Sequence, residues 1–184
     1  MNVYTHILLV LTDKHKQDNY LEVAKWLVKK GADIHAYQED AFYNACYCKH
    51  LEVVKWLIKQ NISMYTRNDC LCDAASNNNI EVAKILLENN ACVDFNYQES
   101  LLTACDEGHF EMIKLLLEYK GDVHANGDAP LYYSIRDGRF EIIKWLIKEK
   151  GAVVTKQMHR DLLPKTKTRF PKIYEYLKEL SAKQ

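Results

Sequence analysis

The chain has 184 residues, with 25 Lys and Arg balancing 25 Asp and Glu, so its net charge of zero removes the bulk electrostatic case for nucleic acid or an anionic membrane. Only 6 Gly and 3 Pro are present and no Ser/Gly-rich linker interrupts the chain, so one continuous array is expected over residues 1–184. The early apolar run from Ile7 to Leu11 is too short to span a bilayer, lacks a basic leader and runs into Thr12-Asp13-Lys14, so no secretion signal or anchor is expected and the protein should stay in the cytoplasm.

Five stretches then share one pattern. Leu21 opens LEVAKWLV, Leu51 opens LEVVKWLI, Ile80 opens IEVAKILL, Phe110 opens FEMIKLLL and Phe140 opens FEIIKWLI, at intervals of 30, 29, 30 and 30 residues. A fixed period of this size signals stacked supersecondary units, none of which buries its apolar face alone. Apolar residues at the first, third, fourth, seventh and eighth positions, as in Phe110, Met112, Ile113, Leu116 and Leu117, predict a helix buried along one stripe. Glu at the second position and Lys at the fifth form a solvated face, each pair contributing ~0.2–0.5 kcal/mol. The sixth position holds Trp26, Trp56, Ile85, Leu115 and Trp145, expected to cover the seam between neighbouring helices instead of stacking a ligand.

Gly31, Asn61, Asn90, Gly121 and Gly151 follow these helices, as a left-handed C-terminal cap requires. Short extended fingers are expected next, at Asp33-Ile34-His35, Ser63-Met64-Tyr65, Cys92-Val93-Asp94 and Asp122-Val123-His124. A shorter helix then begins, with Asp40, Asp69, Glu99 and Asp128 as candidate caps and Pro130 in the last first turn. Its stripe of large and small residues, such as Phe42-Ala45-Cys46 and Leu101-Ala104-Cys105, lets two helices approach closely.

The six cysteines invite two other readings, a disulfide frame and a Zn site built from Cys46, Cys48, Cys70 and Cys72. Without a visible leader the thiols are expected reduced. The register also sends Cys46 and Cys105 to one equivalent position, where a small core residue packs.

The repeated elements carry a family likeness. The run from Gly108 to Leu117, followed by Gly121-Asp122-Val123-His124-Ala125, resembles the GHLEVVKLLL…GADVNA pattern of ankyrin repeats, and Ala129-Pro130-Leu131 resembles their TPLH opening. The resemblance covers about residues 20 to 150 and implies an all-α solenoid of stacked helix-turn-helix units that binds proteins. It implies an N-terminal cap and first unit at 1–39, full units at 40–68, 69–98, 99–128 and 129–158, and a degenerate C-terminal cap at 159–184. Here each unit is about three residues shorter than usual, in the finger, a form similar to ankyrin arrays of giant DNA viruses of protists, for which the compartment would be a host cell. Phe170 lies 30 residues after Phe140 and predicts a sixth helix closing the core. Alternatively, Leu162-Leu163-Pro164 with Ile173, Tyr176 and Leu177 resembles an F-box-like tail, which would make the protein a substrate adaptor for a ubiquitin ligase.

No constellation of catalytic residues or phosphate-binding loop is present at the required spacing, so no catalytic residue, metal or cofactor is expected. His50 and His109 occupy the start of the long helix, a structural position. His35 and His124 lie three units apart, too far to share a metal.

A non-enzymatic scaffold should bind through side chains that vary on a fixed frame. The outward face of the short helices offers Asn44, Tyr47 and Cys48; Asp73, Ser76 and Asn77; Thr103, Asp106 and Glu107; and Tyr133, Arg136 and Asp137. The resemblance implies that this face lines a concave groove, with Tyr37, Arg67, Asn68, Asn96, Tyr97 and Asn126 at its rim. The fingers and short helices (31–50, 61–79, 90–109 and 120–139) together carry −7, whereas residues 151–184 carry +5. These carboxylates either receive a basic or polar protein segment or simply keep a monomeric array soluble. Lys165, Lys167, Arg169 and Lys172 are expected to solvate the cap, not to bind nucleic acid.

Overall fold

The 30-residue apolar period dictates helices, and the computed structural model, which describes residues 3–12 and 20–181, contains thirteen of them and one short 3-10 turn, with no strand among those residues. The chain divides into two compact units, Met1–Cys92 and Val93–Gln184.

In the first unit an inner row, α1 (Val3–Thr12), α3 (Ala36–Tyr47) and α5 (Met64–Ser76), lies against an outer row, α2 (Tyr20–Lys29), α4 (Leu51–Leu57) and α6 (Ile80–Glu88). The outer helices bury most of the stripe expected of them, with Leu27, Val54, Leu57 and Leu86 at most 1% exposed, but Val23 in α2, at the third position, is 43% exposed. On the inner helices Phe42, Ala45, Leu71 and Ala75 are fully buried, and the small members of this stripe bring α3 and α5 together. Helix α1 packs on both α2 and α3, so it is the inner helix of the first pair and not merely a shield. Leu8 is fully buried in a cluster with Ala24, Leu27, Ala32 and Ala41, whereas Ile7 is 42% exposed. The side chains of Val10 and Leu11, and residues 13–19, lie outside the described residues.

The second unit opens on the 3-10 turn Phe95–Gln98 and pairs α7 (Glu99–Glu107) with α8 (Phe110–Glu118), then α9 (Ala125–Arg136) with α10 (Phe140–Lys150). Helices α11 (Lys156–Asp161), α12 (Leu163–Arg169) and α13 (Pro171–Ser181) follow. The expected sixth long helix is α13, whose Ile173 and Leu177 are 2% exposed and whose Tyr176 ring meets Phe140 edge-on at 5.8 Å. Phe110 meets Trp145 in the same manner at 5.4 Å, which places that Trp over a helix seam.

Tight turns join inner to outer helices at equivalent left-handed residues, Lys49, Asn78, Gly108 and Gly138. Each lets the next backbone N–H close onto a carbonyl five residues back, as from His50 to Ala45 and Asn79 to Ala74, satisfying carbonyls that the helix end leaves open. At the far ends of the outer helices Gly31, Asn61, Asn90 and Gly151 adopt the expected left-handed conformation, but in the fourth repeat Lys120 adopts it in place of Gly121.

The entry into the inner helices departs from expectation. In α3 and α9 three consecutive residues, Tyr37-Gln38-Glu39 and Asn126-Gly127-Asp128, are left-handed, so Asp128 ends a turn and does not cap the helix that follows it. Ser63-Met64-Tyr65 is not an extended finger: the Ser63 hydroxyl accepts from the Thr66 N–H at 3.1 Å and α5 begins at once, which leaves Asp69 inside the helix. Glu99 is the first residue of α7, after left-handed Gln98.

Glu39, Asn68, Gln98 and Asp128 occupy one register position, are 2% to 8% exposed, and do one thing. Each side chain accepts from a backbone N–H at the start of the following finger: Ser63 at 3.0 Å, Cys92 at 2.7 Å, Asp122 at 2.7 Å and Val153 at 3.0 Å. Thr5 in α1 does the same for the Asp33 N–H at 2.9 Å. A ladder of acceptors thus pairs backbone donors that have no partner within a helix.

Candidate partner-binding surface

The inner-helix stripe of small and apolar residues is consumed by packing, so the opposite face is the one left to solvent. In the first unit Tyr47 is 59% exposed, Ser76 and Asn77 are exposed, and Asn44, Cys48 and Asp73 are half-buried. Asp73 is engaged within the chain, accepting a short hydrogen bond from the Tyr43 hydroxyl, and Asn77 donates to the Asp73 carbonyl at 2.9 Å. The Asp73 carboxylate, with burial, pushes the Tyr43 phenol well above its ordinary range.

In the second unit Glu107 and Arg136 are exposed, while Thr103, Asp106, Tyr133 and Asp137 are half-buried. A cleft of about 250 Å3 is lined by Asn96, Glu99, Leu102, Thr103, Asp106 and Tyr133. Arg136 lies over the Tyr133 ring at 4.7 Å, donates to Asp137 at 2.9 Å and makes a close ion pair with Asp106. Burial and a hydrogen bond with the Asp137 carboxyl raise the Asp106 pKa, against the opposing pull of Arg136. These three charges form one cluster, so the face of α7 and α9 is less acidic in effect than its count of carboxylates.

The rim residues divide. Tyr37 is 58% exposed on its left-handed turn, and Asn96 and Asn126 are exposed. Asn96 donates to the Glu99 carboxylate. Arg67 is half-buried, with its guanidinium on the Asn89 carbonyl. Asn68 is not at a rim: at 2% exposure it is one rung of the acceptor ladder. Tyr97 belongs to the 3-10 turn, and its side chain lies outside the described residues.

Glu39 and Asp128, counted in the acidic balance, also face inward, held by His35 and His124 at 2.8 Å each. Burial alone would raise the Glu39 carboxyl, but hydrogen bonds from Thr66, His35 and Ser63 together outweigh it and hold the pKa below its ordinary value. Asp33 and Asp122 accept from the backbone N–H groups of His35 and His124 at 2.9 and 2.8 Å. Each finger histidine is therefore committed to its own turn. The residues that reasoning from sequence passed over, Glu99 as a cleft wall and Leu102 as its apolar floor, lie on the α7 turn that also carries Thr103, and i, i+3 spacing from Glu99 to Leu102 was the available signal.

His50 is buried at the start of α4 with its ring on Tyr20 at 4.8 Å. Cys46 and Cys105 are buried in the inner-helix stripe, and burial raises both thiols, Cys105 to about 12. No helix among the described residues is long and apolar enough to cross a membrane.

Among curated proteins, none matches the chain. A family model for ankyrin repeats, in three copies, matches residues 14–98 and again 71–158. Two overlapping matches across most of a chain made of 30-residue helix pairs establish that it belongs to the ankyrin-repeat family.

Proposed function

We propose that the chain is a non-enzymatic scaffold that receives a polar or basic segment of a partner protein on the exposed face of its inner helices. Ankyrin repeats are protein-protein interaction modules. The observation that carries the finer reading is the division of each inner helix between a stripe buried to 4% exposure or less and a face that presents Tyr47, Ser76 and Asn77 in one unit and Thr103, Glu107, Tyr133 and Arg136 in the other. Aromatic rings beside carboxylates and amides supply contact area and donors or acceptors at low entropic cost. Tyr37, Asn96 and Asn126 extend the surface at the turns. Asn68 does not contribute to it, and Asp73 and Asp106 contribute through the pairs they already make.

The adaptor reading needs an accessible apolar tail. Leu162, Ile173 and Leu177 are each 2% exposed within the second unit, which weighs against it.

Capture from a lysate of the native cell tests the scaffold reading. The parent chain and a Tyr47→Ser, Glu107→Lys variant are expected to melt alike, because both side chains are exposed, and the variant is expected to lose proteins that the parent retains. An identical set of retained proteins would move the binding surface elsewhere.

A further inference from the structure

The second unit holds another cleft, of about 170 Å3, between α9 and α12. Ile135, Leu162 and Phe170 form its apolar floor, and Arg136, Lys165 and Arg169 stand around it. Ile135 and Leu162 are buried, while Lys165 and Arg169 are exposed at the mouth. The Phe170 ring is seated against Gly138, where an added Cβ would collide with Cε1 of the ring, and the Arg169 guanidinium covers that ring at 5.1 Å. The floor is therefore fixed by the turn between α9 and α10.

Its charge is opposite to that of the inner-helix face. Arg136 is committed to Asp106 and Asp137, but Lys165 and Arg169 have no carboxylate partner among the described residues, and residues 151–184 carry +5. The enclosed space suits one large aliphatic side chain, whose burial on an apolar floor is favourable, and the two cations at the mouth favour negative charge immediately beside it. We propose that this cleft takes an apolar side chain from an acidic segment of a partner protein, with carboxylates on either side of that side chain meeting Lys165 and Arg169. A nucleic acid would use the same cations through phosphate but leave the floor unfilled, so the floor decides between the two. The site shares Arg136 with the face proposed above, but Lys165, Arg169 and the apolar floor lie outside that face, so substitutions at those two cations test it separately.

The test uses the full chain and a fluorescein-labelled heptapeptide of Glu and Asp around a central Leu, read by fluorescence anisotropy at low and physiological salt. Replacing the central Leu by Ser is expected to weaken binding by on the order of tenfold, the effect of emptying a small apolar pocket. Lys165→Glu combined with Arg169→Glu is expected to weaken the Leu peptide at least as much, with an unchanged melting curve; Lys165→Ala alone, milder on the fold, should give a partial loss in the same direction. The proposal is overturned if the Leu and Ser peptides bind alike, if the charge-reversed variant binds as the parent does, if a single-stranded oligonucleotide of equal charge binds as tightly as the Leu peptide, or if the parent shows no binding at millimolar peptide.

Discussion

Replacing Glu39 by Ala removes the acceptor of the first ionic rung in the ladder. Both carboxylate oxygens lie 3.0 Å from the Ser63 nitrogen, one is 2.8 Å from His35 Nδ1, and the residue is only 6% exposed. A hydrogen bond to a charged group contributes about 1.5–3 kcal/mol net, and the desolvation of a buried carboxylate opposes part of that. A loss of about 2 kcal/mol is expected, which for a chain of this size corresponds to roughly 4–8 °C in Tm. Glu39→Gln keeps one oxygen acceptor and should lose about half as much. The damage should be local, because a repeat array is stabilised by nearest-neighbour terms, so hydrogen exchange at the Ser63 amide is the sharper assay and urea unfolding the supporting one. The pH dependence carries a sign. The folded pKa of Glu39 lies below its ordinary value of 4.5, so its stabilisation is complete above that value and is lost as pH falls through the folded pKa. Glu39→Ala should remove this acid-side dependence, whereas Gln98→Ala, on a neutral rung, should lower stability without altering it. A Glu39→Ala chain that unfolds within about 0.5 kcal/mol of the parent and keeps its Ser63 amide protected would refute the assignment.

Other outcomes follow from the same geometry. Ala104→Glu places a carboxylate at a site with 0% exposure in the α7 stripe, and circular dichroism should show unfolding of the second unit, a loss of more than about 3 kcal/mol. Gly138→Ala should destabilise more than Gly151→Ala in thermal melts: both residues have positive φ, but only at Gly138 would the new Cβ collide with a ring, whereas Gly151 has nothing within 4 Å. Iodoacetamide at mildly alkaline pH should label exposed Cys92 in the native protein and reach Cys46 and Cys105 only in urea, since burial raises both of those thiols; mass spectrometry of the alkylated peptides distinguishes the sites.

The helices were legible in the sequence because an apolar stripe such as Phe110, Met112, Ile113, Leu116 and Leu117 has one physical solution, burial along one side of a helix. Four of the five outer-helix ends were legible in Gly or Asn. The fifth was not, because Lys120 adopts a conformation its residue type does not announce. The ladder escaped for a different reason. Glu39, Asn68, Gln98 and Asp128 differ in charge and length, and only their shared ability to accept a hydrogen bond unites them, so a comparison by residue type sees variation where the backbone sees one function. That variation is what made Asn68 resemble a recognition residue. The direct start of α5 was legible in principle, since Ser63 three residues before Thr66 is a capping pair. On the candidate surface, exposure followed from helix periodicity, but the ion pair that Arg136 makes with Asp106 joins two helices 30 residues apart and carries no local sign.

Because each rung from Glu39 onward runs from an acceptor to a donor 24 or 25 residues further on, each 30-residue copy arrives with both halves of the joint it needs. A tandem duplication inside the chain would therefore lengthen the protein without orphaning a single finger amide, whatever the new copy displays outward. At residue 158, where the next acceptor would fall, the chain has methionine, 2% exposed. Growth by gene duplication is thus chemically self-consistent in the interior and is not at this last position, which makes number of copies, more than their framework, the quantity free to drift.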